Sequence, residues 1–391
     1  MTGFNFSPPS GMMPFMITVR EISTDCKKDV RRFILGPSEL QRNDPMFVPP
    51  ILMEQMDQFN PKKTPFFRHG KVHLLLAEED GRFLGRLSVH TNEKHDAKYG
   101  PGTGFFGFCD FEDRPETVRA LFEKGEALLR GLGTKKVIGP FNFDINNECG
   151  ILIEGFDTPP SVMMLHNPPY YAPRLEEIGY RKEKDLLAWT YSVTDVPEIA
   201  RAAADVQRQT PGLVIREADP DRLEADIKIV TDIYNDAWAD NWGALPLDDE
   251  ESKIIAEHIK PIFRKELVLI AELNGEPVAM TFGSLDVNET LRSLGRCNSI
   301  VDLLRFLWRL KFHPPKSARL LILGIKKAHR GKGLKFLSVL LYTEMNERAK
   351  KLGITKGECS WTLEDNDKIN RGIELMGGKV YKKYRIYGKT L

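Results

Sequence analysis

The chain has 391 residues, of which 28% are charged, 41% hydrophobic and 9% aromatic. This excludes wholesale disorder and collagen-like repeats, and at roughly 100–200 residues per domain it implies two or three domains. Fifty-six Lys and Arg face 55 Asp and Glu, a net charge of +1, so no whole-molecule field attracts nucleic acid and no nucleic-acid partner is expected. Cys26, Cys109, Cys149, Cys297 and Cys359 lie far apart without a CxxC, the pattern of reduced thiols in a cytoplasmic protein. His90 and His95 lack any paired metal-ligand spacing, so no metal is expected, and no GxSxG marks a serine hydrolase. The N-terminus has no basic leader, and no apolar run approaches the ~20 residues that span a bilayer.

In chain order, ITVREI (residues 17–22) reads as a first strand, and HLLLAEEDGRFLGRLSV reads as a hairpin turning at Gly81. A GxGxxG at residues 102–107 precedes an apparent strand instead of following one, so it is no dinucleotide fingerprint. The turn Glu112-Asp113-Arg114-Pro115 leads into a helix ending at Leu132-Gly133. Residues 139–171, rich in Pro, Asn and aromatics, are too irregular for a helix or strand. They read either as a binding loop or as a proline-stapled connection whose aromatics only pack. Asn142, Asn146, Asp157, Asn167, Tyr170 and Tyr171 are its candidate substrate-contacting residues.

After a boundary near Thr194 and a linking helix, the same order recurs. LVIREA repeats the first strand at an offset of 196 residues, counted from Arg20 to Arg216. LVLIAELNGEPVAMTFGSL repeats the hairpin at 194, Gly81 to Gly275, and the two terminal segments match at 198, Gly179 to Gly377. The Leu-Gly helix ends are 220 apart, Gly133 to Gly353, so about two dozen residues have been inserted before the second long helix. The expected fold is α/β, an α+β mixed sheet in two tandem units, residues 1–194 and 195–391, with a basic helical insertion at 291–319.

In the second unit an apolar run, residues 320–325, leads into His329-Arg330-Gly331-Lys332-Gly333. A helix is expected to follow, with Leu334, Leu337, Leu340, Leu341 and Met345 on one face. Strand, glycine turn and helix N-terminus together present backbone N–H groups to a pyrophosphate. A P-loop is excluded because Gly331-Lys332 is followed by Gly333. The stretch resembles the acetyl-CoA-binding motif of the GNAT acyltransferase superfamily, a strand entering Arg/Gln-x-x-Gly-x-Gly/Ala and a helix. Arg330 and Gly333 match two positions, and Lys335 replaces the small residue of the third. Downstream, Asn366 and Gly377 also fit, while Ile373 stands where members carry a Tyr that commonly protonates the leaving thiolate.

The resemblance implies two tandem GNAT-like acyl-CoA N-acyltransferase domains. The first is degenerate, since the acidic turn at residues 112–115 would repel a pyrophosphate. It further implies one acetyl-CoA or longer acyl-CoA, held by Gly324, Ile325, Arg330, Gly331, Lys332, Gly333, Leu334, Lys335 and Asn366, with amides near Gly324 and Ile325 polarising the thioester. The acceptor would meet Trp238, Asn241 and Trp242, and Asn288 near the end of SLDVNE. The two tryptophans share a helix face if that helix continues, as pocket or as core.

An attacking amine must lose a proton, and Asp286 and Glu364 are the candidate bases. The insertion holds seven Lys and Arg against Asp302, a net of +6. Residues 300–312 within it read as a helix too short to span a bilayer, suited to lie in the inner membrane face, to cover an acyl chain or to close the cleft. The expected function is acyl-CoA-dependent N-acyl transfer, of an acetyl or longer group, to a small-molecule or lipid amine. The alternative, motivated by Lys335 and Ile373, is a non-catalytic acyl-CoA- or lipid-binding protein. A long apolar tunnel beneath residues 300–312 would mark a fatty acyl donor.

Overall fold

The computed structural model describes residues 17–259, 262–331 and 333–391, and Lys332 of the expected turn lies outside them. Its strands are β1 (Thr18–Ile22), β2 (Val72–Glu79), β3 (Arg82–His90), β4 (Thr103–Phe111), β5 (Lys136–Gly139), β6 (Ile151–Glu154) and β7 (Arg181–Ser192), then β8 (Leu213–Glu217), β9 (Val268–Leu273), β10 (Glu276–Leu285), β11 (Ser317–Ile325), β12 (Lys356–Leu363) and β13 (Lys379–Thr390). The two hairpins form as their turns dictate. Asp80-Gly81 and Asn274-Gly275 all adopt positive φ (50°, 80°, 53° and 84°), the backbone that lets a two-residue loop follow the twist of its strands.

Among the described residues all thirteen strands join one mixed sheet, in the order β1-β2-β3-β4-β5-β13-β7-β12-β11-β10-β9-β8, with β6 beside β13. Two neighbouring pairs are parallel, β4 with β5 and β11 with β12, one in each half. The halves exchange their final strands. β13 pairs with β5 of the first half, β7 pairs with β12 of the second, and the two swapped strands run antiparallel through the centre. Helix Pro115–Gly131 buries Val118, Leu121 and Leu129 against Leu75 and Leu87 of the first half. Helix Leu337–Lys351 buries Leu337, Leu340, Leu341 and Met345 against Leu269, Ala279 and Leu320 of the second.

Local boundaries differ from the sequence expectation in two places. The long basic helix begins at Leu337, not Leu334, because Gly331 and Gly333 hold left-handed φ of 81° and 73° and the loop completes its turn only at Phe336. The helix before Trp242 stops at Trp238, so the two tryptophans do not share a helix face. Residues 300–312 do form a helix, Ile300–Phe312, and no described helix is long and apolar enough to cross a membrane.

Candidate active site

The site grows from the second parallel pair. Ser317 to Leu320 of β11 pair with Lys356 to Cys359 of β12, and there the ladder ends. An irregularity between Cys359 and Thr362 disturbs the alternation of β12, so Cys359, Trp361, Thr362 and Leu363 all face one space. That space is a cavity of about 960 Å³, at the upper end of the roughly 300–1,000 Å³ of small-molecule sites. One end holds residues 320–323, Tyr342, Asn366 and Ile373. Its middle is walled by Arg86, Asp110 and residues 142–148 of the first half. Leu303, Phe306 and Leu307 of helix Ile300–Phe312 line it too, with Met53 and Val162.

The corresponding gap in the first half is shut by its own chain. Phe141 N donates to Phe106 O at 2.7 Å, and Phe108 N donates to Asn142 Oδ1 at 2.8 Å, where β4 and β5 part. A Cβ on Gly107 would lie 1.8 Å from Phe141 O, so only glycine admits this plug. The acidic turn below it is spent on ion pairs, Asp113 with Arg174 at 2.8 Å and Glu112 with Arg82 at 2.6 Å.

At the second-half turn, Arg330 folds inward. Its Nε donates to Ile325 O at 3.0 Å and its Nη2 to Ala237 O at 2.6 Å, pinning the turn between β11 and helix Leu223–Trp238. Gln207 of the linking helix braces the other side, donating to Gly333 O at 3.0 Å and accepting from Phe336 N at 2.9 Å. Leu334 is buried in the core, whereas Gly331, Gly333 and Lys335 are exposed, with nothing within 4 Å of where a Cβ on either glycine would stand. An open glycine turn beside the exposed Lys335 fits a pyrophosphate. Gly324 lies under an indole instead: a Cβ there would meet Trp238 Cζ3 at 2.5 Å.

Of the expected acceptor residues, Trp238, Asn241, Trp242, Asn142, Asn167 and Asn288 line the cavity, as does Asn366. Trp238 stacks on Tyr234 at 5.1 Å, and Trp242 packs toward Phe141 at 6.4 Å. Asn167 is committed to the backbone of Leu152, accepting from its N–H at 2.7 Å. Tyr170 and Tyr171 lie in the first-half core, their hydroxyls bonded to the backbone of Phe111 at 2.8 and 3.1 Å. Among the described residues these two, together with Gly324, Ile325, Arg330, Gly331, Gly333, Leu334, Lys335, Asp286 and Glu364, stand outside the cavity wall.

The two candidate bases bind protein partners. Asp286 accepts from Ser161 Oγ and Val162 N, both at 2.9 Å, and from Asn288 N at 3.3 Å. Burial and the nearby Glu358 charge push it up to about 6. It ties the loop at residues 155–162 to the second half, as do Arg319, donating to Val162 O, and the buried Lys382, donating to Gly155 O and Thr158 O. Glu364 accepts from Lys182 Nζ at 2.6 Å and Asp185 N at 3.0 Å.

The carboxylates that do line the cavity are Glu54, Asp110, Asp144 and Glu148 of the first half and Glu251 of the second. Glu148 receives Asn142 Nδ2 at 2.8 Å, and burial raises its carboxyl above the ordinary range. Glu54 lines the same wall, raised by burial and by the charge of Glu148. Sequence reasoning missed both. The available signal was Glu148 as the lone charge in INNECGILI, inside the segment already singled out for binding.

No family model matches the chain. It is 38% identical over 389 residues, 97% of its length, to the full length of a protein of Caulobacter vibrioides named "Bacterial ceramide synthase". It is 32% identical over 369 residues to "Protein YghO" of Escherichia coli, covering 93% of this chain and 94% of that one. Among solved structures, a tandem GNAT protein from the clavulanic acid biosynthesis pathway superposes with a TM-score of 0.58 at 12% identity, over 96% of this chain and 98% of that one. A GCN5-related N-acetyltransferase from Sphaerobacter thermophilus gives 0.53 at 14% identity, over 97% of each. The chain therefore belongs to one family with the Caulobacter and Escherichia proteins, and its fold is that of a tandem GNAT acyltransferase.

Proposed function

We propose that the chain moves a long acyl group from an acyl-CoA thioester to the amine of a long-chain acceptor. The observation that carries this reading is the cavity, which is lined both by the parted β11–β12 pair and by apolar side chains of helix Ile300–Phe312, with Glu54 and Glu148 in its wall. An acetyl group needs no such volume. The relative named a ceramide synthase adds weight, because a ceramide is an N-acylated long-chain amino alcohol. The pinned turn at Arg330, with Gly331, Gly333 and Lys335, would hold the pyrophosphate outside the cavity. The thioester supplies the activated acyl carbon.

Acyl transfer to a protonated amine forms a C–N bond, breaks the C–S bond and removes two protons from the nitrogen. A protonated amine is drawn to Glu54 and Glu148, where two carboxylates stand in mostly apolar surroundings. Glu148 then accepts the first proton. Burial makes its carboxylate a stronger base than an ordinary one, and Asn142 fixes its orientation. The departing thiolate takes the second proton, released by the nitrogen as the tetrahedral adduct collapses, so the two protons lost by the ammonium end on Glu148 and on sulfur. Positioning along the cavity supplies the rest of the acceleration.

The test is free-thiol release by the purified full chain, with hexadecanoyl-CoA or acetyl-CoA and with sphinganine or a short amine. Turnover is expected with the long donor and long acceptor. Binding without thiol release, or turnover confined to acetyl-CoA, would overturn the reading.

A further inference from the structure

Helix Ile300–Phe312 has two apolar faces. Ser299 Oγ caps it, accepting from Asp302 N at 3.2 Å. Inward, Phe306 and Leu310 are buried with Val287 and Leu291. Outward, Ile300, Val301, Leu304, Trp308 and Phe312 are each between 53% and 60% exposed. At 3.6 residues per turn these five form one stripe opposite the buried pair. An apolar stripe of this size left on a surface signals a partner.

Charge says which partner. Arg296, Arg305, Lys311 and Lys316 are exposed around the stripe; Asp302, the one carboxylate of the insertion, is buried at the helix start against Ser299 and lies 3.6 Å from Arg296 and 4.0 Å from Arg305, so Lys311 and Lys316 keep the face cationic. A second copy docked on this face would set like charges against each other. An anionic surface would pair with them. The geometry points to this helix as a docking face for an anionic lipid bilayer, laid in the interface with Trp308 at headgroup depth and the cations toward the phosphates. Thirteen residues are too few to cross. Leu307 is both exposed and part of the cavity wall, so the docked face is continuous with the cavity. Transfer of a lipid substrate along that route rests on the acyl-transfer reading, whereas the docking does not.

The test is co-sedimentation of the full chain with vesicles of phosphatidylcholine alone or mixed with phosphatidylglycerol. Binding is expected only to the anionic vesicles, weakening with salt. In the Leu304→Glu/Trp308→Glu variant it is expected to weaken about tenfold or more. Neither residue lines the cavity, so thiol release with a detergent-solubilised amine is expected to stay unchanged, which shows that the variant is folded. Two results overturn the proposal: equal binding by the variant, or a wild-type dimer without vesicle affinity that the variant converts to monomer. If vesicle binding holds while no thiol is released by any donor, the docking stands and the acyl-transfer reading falls.

Discussion

Two wedges of similar construction meet opposite fates in this molecule. In each half a parallel strand pair parts after a few rungs, β4 from β5 and β11 from β12. The first wedge is filled by Phe141 and Asn142, which satisfy the backbone of Phe106 and Phe108. The second is left open and becomes the end of the cavity. The segment that plugs the first wedge also carries Glu148 into that cavity. Degeneration of the first half is thus a change of role: the groups that close one site furnish the other.

The largest effect is expected where plug and cavity meet. Glu148→Gln should lower kcat by about 10²- to 10⁴-fold while leaving thermal stability near wild type. In the proposed reaction this carboxylate accepts the proton, so wild-type kcat/KM should fall as pH drops through its raised pKa, and this acid limb should vanish in the variant.

The two glycines that accept close approach separate the wedges next. Gly107→Ala drives a Cβ into the plug backbone and should cost about 1–3 kcal/mol in denaturant unfolding. Gly324→Ala meets only the edge of the Trp238 ring and should cost about 1 kcal/mol. Equal costs would mean that the plug is no more rigid than the indole. At the turns, Arg330→Ala should raise KM for acyl-CoA about tenfold by releasing two charged hydrogen bonds. Arg114→Ala, in the acidic turn of the first half, should leave KM and the unfolding midpoint near wild type, since its pair with Glu79 at 2.8 Å is solvated.

The repeated hairpins were legible because Asp80-Gly81 and Asn274-Gly275 announce their turns locally. The open turn at Gly331 and Gly333 was legible for the same reason, a spacing of glycines within a few residues. The exchange of β7 and β13 was not, because nothing within Arg181–Ser192 states that its partner stands two hundred residues away. The bases divided along the same line. Asp286 and Glu364 stand out by their place at strand ends, yet the structure surrounds both with protein donors. Glu148 acquires its setting only from Asn142, Glu54 and the second-half wall, contacts that no local pattern encodes.

The exchanged strands also set a timetable for synthesis. Leu186 of β7 lies opposite Tyr384 of β13, and β5 finds its neighbour only at Tyr387 and beyond. At 5–20 residues per second, the nascent first half waits roughly 10–40 s after β7 is made before β13 exists to fill its sheet. Throughout that interval the flanks of β5 and β7 are unpaired edges, the kind that invites pairing with other chains. The second half is therefore also the first half's folding partner, and a chain severed at residue 194 would leave two open sheets instead of two domains.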